Sequence, residues 1–179
     1  MPSRLSQQDF LTMHKTLAFF LFFGMMTVVV SASRVTPSEN NKVYAKEYYQ
    51  NGQIKAEGWE MGGMKMGYWK FYHANGSIAS EGHFRKNERD AYWHFYNTDG
   101  LIIKEGHYEH GSAENWWIFY DIANQSTSKF QFKNNRKNGF CLQYKKRKLL
   151  RAEKYINNIK VGEWTSIFAF KRDNPGVSF

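Results

Sequence analysis

At 179 residues the chain is long enough for one ordinary domain plus a targeting segment, and too short for two large independent cores. Aromatic residues make up 18% of it and charged residues 23%, which excludes a disordered tail and disfavours a Leu- and Ala-rich helical domain; Tyr, Trp and Phe in excess point to strands. The formal net charge is +9, and the one cysteine, Cys141, excludes an intramolecular disulfide and a Cys-rich metal site.

The first element in chain order is an uncharged run, residues 16–30 (TLAFFLFFGMMTVVV), with His14 and Lys15 before it and Ser31, Ala32 and Ser33 after it. A basic flank, an apolar stretch and small residues are the three parts of a secretory signal, so residues 1–32 are expected to be a signal peptide or signal anchor. Cleavage after Ala32 would give a periplasmic or secreted protein; without it, residues 16–30 would tether the chain to a membrane, although spanning a bilayer usually takes roughly 20 apolar residues. Met13 is an alternative start, and no cysteine near the cut supports a lipoprotein route. A polar linker, 33–43, contains Pro37.

From there the chain repeats every 24 residues. Tyr48, Tyr72, Tyr96 and Tyr120 share one column. Gly52, Gly76 and Gly100 share another, as do Ile54, Ile78 and Ile102, the pairs Glu57-Gly58, Glu81-Gly82 and Glu105-Gly106, and Trp69, Trp93 and Trp117 with Phe71, Phe95 and Phe119 two residues on. Three clear units fill 44–121 and two degenerate, basic units fill 122–168. In the latter Gly139 matches Gly67, Cys141 falls in the Trp column, Glu153 falls in the Glu column, and Gly162-Glu163-Trp164 echoes Gly67-Tyr68-Trp69. Residues 169–179 are expected to be a C-terminal tail with a turn at Asn174-Pro175-Gly176, and 122–128 is open between strand and loop.

Each unit encodes two strands, one aromatic and alternating (68–72), one ending near the Glu-Gly pair (77–84). The tight hairpin turn is expected at Asn51-Gly52, Asn75-Gly76 and Asp99-Gly100, the other connection being a looser polar segment. Alternation places Trp69 and Phe71 on one face and Tyr68, Lys70 and Tyr72 on the other; on the partner strand Ile54 and Gly58 share a face opposite Glu57. The Trp ring is expected to cover the glycine backbone of its neighbour. No single unit buries its rings alone, so the units must stack into an all-β fold: one elongated antiparallel meander sheet of β-hairpin repeats.

The motif YHANGSIASEG…YWHFY resembles the MORN-repeat variant of many bacterial proteins, some labelled YwqK-like antitoxin; the likeness spans Lys46–Asp121 and, more weakly, continues to Trp164. The resemblance implies an interaction module without common catalytic residues, with roles in tethering to membranes or proteins and in toxin neutralisation.

His83 and His107 share a column near His110, but Trp59 fills that column in the first unit and no carboxylate or thiolate completes a ligand set, so no metal is expected. Glu57, Glu81 and Glu105 are candidate acid/base groups, yet a residue that every unit requires is better explained by the unit, as an acceptor for turn donors or a partner for lysine. Cys141 is expected to be an inert buried thiol, and nucleophile elbows and phosphate loops are absent from the sequence. Neither cofactor nor small-molecule substrate is indicated.

Residues 33–121 carry 10 basic and 12 acidic side chains (10 − 12 = −2), whereas 122–179 carry 13 and 3 (13 − 3 = +10). The cations gather at Lys133, Arg136, Lys137 and the run Lys145, Lys146, Arg147, Lys148, the candidate site for an anionic lipid headgroup, acidic glycan or acidic protein. Tyr68, Tyr72, Tyr92 and Tyr96 form a candidate aromatic face. With an export signal, nucleic acid is not the expected partner. The expected function is a non-catalytic binding or scaffolding module of the cell envelope; the alternatives are an antitoxin or immunity protein and a polymer hydrolase using the Glu column.

Overall fold

The computed structural model describes residues 41–177, so the expected signal segment and most of the linker lie outside the described residues. Eleven strands follow one another: β1 (Lys42–Tyr48), β2 (Ile54–Met61), β3 (Met64–Tyr72), β4 (Ile78–Arg85), β5 (Glu88–Tyr96), β6 (Ile102–Glu109), β7 (Ser112–Asp121), β8 (Ser126–Lys133), β9 (Arg136–Lys145), β10 (Lys148–Ile156) and β11 (Ile159–Trp164). They form one open antiparallel sheet in sequence order, followed by a short helix, α1 (Ile167–Asp173). The all-β repeat meander is therefore the architecture. Segment 122–128 resolves into a four-residue turn (122–125) and the start of β8.

The turns exchange the roles expected of them. The tight two-residue turns are Gly62-Gly63, Lys86-Asn87, His110-Gly111, Asn134-Asn135, Lys146-Arg147 and Asn157-Asn158; both residues of each have φ between +47° and +76°. That is the paired left-handed geometry whose twist suits a hairpin. The Asn-Gly and Asp-Gly pairs instead sit in five-residue loops where only Gly52, Gly76 and Gly100 are left-handed. There Asn75 Oδ1 accepts from the backbone N–H of Ser77 at 3.1 Å, and Asn97 Oδ1 from that of Leu101 at 2.9 Å. Asparagine orders its own loop by side-chain bonding.

Adjacent hairpins are clamped at their tips. The backbone N–H groups of Asn87, Gly111, Asn135 and Asn158 donate to the carbonyls of Lys65, Arg89, Ala113 and Lys137 at 2.9–3.1 Å. The side chains of Asn87, Asn135 and Asn158 return the bond, accepting from the N–H of Lys65, Ala113 and Lys137 at 2.7–2.8 Å. Gly111 has no side chain to do so.

On the first face a cross-strand row runs Gly58, Trp69, Gly82, Trp93, Gly106, Trp117, Phe130, Cys141. Each indole occupies the space where a Cβ would stand on the glycine before it, and Trp69 and Trp93 are fully buried. A bulge makes this close approach compatible with hydrogen bonding. Gly58 pairs with Trp69 but Trp59 pairs with Met66, which releases the carbonyl of Trp59, and the Trp69 indole N–H takes it at 2.9 Å. His83 and His107 give their carbonyls to Trp93 and Trp117 at 3.0 and 3.1 Å in the same way. Cations cover the outer side of the rings: Lys65 Nζ is 3.6 Å from the Trp69 centroid and Arg89 lies 4.6 Å from that of Trp93. The equivalent position over Trp117 is Ala113, and Lys137, the next in the column, stacks on Phe130 at 3.8 Å. A single-layer sheet thus seals Trp69 and Trp93 between backbone and cation.

A second bulge corrects the facing of the isoleucines. Tyr48 pairs with Ile54 and Glu47 with Ala56, so Lys55 is an extra residue and Ile54 lies with Tyr48 rather than with Gly58.

The C-terminal end departs from a plain tail. Helix α1 straddles the expected boundary at residue 169 and lays Phe170 on Leu142 and Ala152, with Trp164 and Phe140 beside it. Asn174 ends it, donating its backbone and side-chain N–H groups to the Phe170 carbonyl at 2.9 and 3.0 Å.

Candidate functional site

The second face carries a polar row set by strand register: Lys46, Glu57, Lys70, Glu81, His94, Glu105, and then Ile118, Lys129, Leu142 and Ala152. Each carboxylate of the three clear units is engaged by the tyrosine 15 residues on. Tyr72, Tyr96 and Tyr120 hydroxyls donate to Glu57, Glu81 and Glu105 at 2.6, 2.7 and 2.6 Å. Lys46 lies 3.5 Å from Glu57, and His94 Nε2 lies 3.3 Å from Glu105. The Tyr72 bond, then Lys46, hold the Glu57 carboxyl below its usual range against the opposing effect of burial. Burial and the bond to the carboxylate push the Tyr120 phenol up to about 12, and those of Tyr72 and Tyr96 upward likewise.

All four residues of the expected aromatic face are here. Tyr72 and Tyr96 donate short bonds to Glu57 and Glu81, while Tyr68 and Tyr92 lean their hydroxyls towards Glu81 and Glu105 and leave their rings 41% exposed. Tyr44 and Tyr48 of β1 extend the face and are exposed as well. Sequence spacing holds the signal for Tyr44, since it precedes Tyr68 by one period.

Glu153 does not join this column. One residue fewer separates Cys141 from Ala152 than separates Trp69 from Glu81, so Ala152 takes the Glu position and Glu153 falls opposite Cys141, in the glycine row of the tryptophan face. There it is buried at 3% exposure and held by Arg151 Nε at 3.2 Å, Lys160 Nζ at 3.7 Å and the Tyr155 hydroxyl at 3.0 Å. Burial, then the neighbouring Glu153 charge, push the Cys141 thiol up to about 12. Trp164 is displaced too: it pairs with Ala152 on the second face rather than continuing the Trp69 column, and donates its indole N–H to Asp173 at 2.9 Å.

The basic residues divide into three groups. Lys133 and Arg136 flank the Asn134-Asn135 turn; Lys145 to Lys148 form the turn at the other end of β9, a ten-residue strand of roughly 34 Å. Lys137 belongs to neither, lying on the tryptophan face over Phe130. Lys146 and Arg147 are both left-handed, at φ +48° and +64°, without the asparagine or glycine that eases such turns. Beyond them Leu149, Leu150 and Ile167 line one cleft, and Phe168 stands 77% exposed on α1.

His83 stacks edge-on with Tyr68 at 5.1 Å, and His110 approaches Glu88 at 3.9 Å. Among the described residues no group of three or more His, Cys, Asp or Glu side chains is arranged to hold a metal ion, and no helix is long and apolar enough to cross a membrane. No family model matches the chain, and neither does any curated protein.

Proposed function

We propose that this chain is a non-catalytic binding or scaffolding module of the cell envelope, holding a protein, a glycan or an anionic membrane surface against its open sheet face and its basic C-terminal end. The observation that carries the reading is the open face itself, where Tyr44, Tyr68 and Tyr92 recur on alternate strands and stay exposed. Exposed aromatic patches of this kind mark contacts. Each carboxylate beside them accepts from a tyrosine hydroxyl, unit after unit, which favours a structural role for the Glu column over hydrolysis. At the C-terminal end the turn of Lys145 to Lys148 adjoins the exposed Leu150 and a cleft shared with Ile167, a pairing of cations and apolar groups suited to a negatively charged surface.

The test is retention of the full chain on anionic polymer beads and on whole envelope fragments, alongside Y68A/Y92A and K145Q/K146Q/R147Q/K148Q. Loss of retention in either variant supports the reading. Retention untouched by both substitutions would remove these surfaces from the account.

A further inference from the structure

We infer that the open face binds an extended, uncharged β-1,4-linked polysaccharide strand laid across the β-strands, one disaccharide to each 24-residue unit; the inference rests on the binding-module reading above.

The first support is translational. Tyr44, Tyr68 and Tyr92 stand on β1, β3 and β5, each two residues before Lys46, Lys70 and His94, which register places in one row. Their repeat is therefore two strand spacings, roughly 9.4–9.8 Å. An extended β-1,4-linked glycan advances by about the same distance per disaccharide, because successive sugars are turned over and every second one presents the same face. A repeating surface is matched by a repeating ligand, and a protein partner without repeats has no such period.

Chemistry narrows the choice. Tyrosine rings exposed by 45, 41 and 41% offer apolar surfaces on which pyranose rings stack, with a polar tip at the edge. Alongside them runs a row of both signs, Lys46, Glu57, Lys70, Glu81, His94 and Glu105. Two lysines against three glutamates leave little net charge, so the row attracts neither a polyanion nor a polycation. It suits hydroxyl groups, which donate and accept hydrogen bonds at once. The chain's cationic surplus lies elsewhere, at the turns of the C-terminal third.

The length of the site is bounded too. Phe170 covers Leu142 and Ala152 at the far end of the same row, which leaves the strands from β1 towards β7 open. Three exposed tyrosines then correspond to three disaccharides, so affinity should climb with ligand length up to roughly six sugars and level off, as each unit adds one linked contact.

The experiment is a calorimetric titration of the full chain with chito- and cello-oligosaccharides of two, four and six sugars, and with dextran, whose α-1,6 linkage breaks the period. The expected result is at least about tenfold tighter binding of six sugars than of two in one of the β-1,4 series, with no heat from dextran. Y68A and Y92A should each weaken the six-sugar complex; Tyr68→Trp, which keeps a stacking surface, should retain it and guards against a mere folding defect. Absence of binding to both series, equal affinity at every length, or equal binding of dextran would overturn the inference. If the oligosaccharides fail while K145Q/K146Q/R147Q/K148Q still loses retention on anionic beads, this inference falls and the binding module stands. If retention fails as well, both fall.

Discussion

The indole of Trp93 fills the space above Gly82 in which any other residue would place its Cβ, and ring atoms Cγ, Cδ2 and Cε2 are the ones a methyl group would strike. Tryptophan and glycine are thus one structural element divided between two strands, since the ring is held from above by Arg89 and at its edge by the His83 carbonyl. Gly82→Ala and Gly106→Ala should each destabilise the fold by about 1–3 kcal/mol, the usual effect of overpacking. Urea unfolding followed by tryptophan fluorescence reads this directly; an unchanged midpoint for both would mean that the rings are not seated as described.

Gly111 is the one tip in its series that cannot return a hydrogen bond, although its φ of +76° suits asparagine and an added Cβ meets only Glu88, at 3.8 Å. Gly111→Asn should supply to the Arg89 N–H the acceptor that Asn87 and Asn135 supply to Lys65 and Ala113, and raise stability by about 0.5–1.5 kcal/mol. A lower melting temperature would refute the clamp as a stabilising device.

The phenols of Tyr72, Tyr96 and Tyr120 ordinarily ionise near pH 10 and are held above that value by burial and by the carboxylates they donate to. Above pH 10 the unfolded chain loses these protons while the folded chain keeps them, so stability must fall as pH rises. Chemical denaturation at pH 8 and at pH 10.5 checks the sign, and the steepness of the decline should lessen in Tyr96→Phe. That substitution removes one donor to Glu81 and should itself cost about 1–3 kcal/mol at neutral pH.

Cys141 is fully buried and its thiol is pushed up to about 12, so thiolate is scarce at pH 8. Iodoacetamide should leave the native protein unlabelled over a period in which the urea-unfolded chain reacts completely. Rapid native labelling would contradict the packing of β8, β9 and β10 around this side chain.

Helix α1 gives a contrast between neighbours two residues apart. Phe170 is buried at 2% exposure against Leu142, Ala152 and Trp164, whereas Phe168 faces outward. Phe170→Ala should cost about 3–5 kcal/mol. Phe168→Ala should stay within about 0.5 kcal/mol of the parent protein, as surface substitutions do. Equal effects would show that the helix does not cap the sheet.

The register of the three clear units was open to view in the sequence because glycine, tryptophan and tyrosine each do one job there, and a job that recurs every 24 residues leaves a column. The contact of Trp69 with Gly58 follows from that column and from strand alternation. Alternation misleads at the bulges, since an extra residue such as Lys55 reverses the facing of everything before it and puts Ile54 on the face of Tyr48. Among the tight turns, Lys86 and the Lys146-Arg147 pair adopt a left-handed geometry that their composition does not advertise, while the conspicuous Asn-Gly pairs serve the longer loops.

The sequence by itself determined the repeat, the all-β meander, the tryptophan-on-glycine face and the concentration of positive charge in the last third, because these depend on local residue type and on a fixed period. Only tertiary structure decided that Glu153 faces Cys141 in a clasp of Arg151 and Lys160, that the basic residues separate to opposite ends of β9, and that residues 167–173 form a cap. One residue fewer between Cys141 and the Glu position exchanges the two faces of the following strand, and strand length sets how far apart its ends lie; neither has a signature in any single residue.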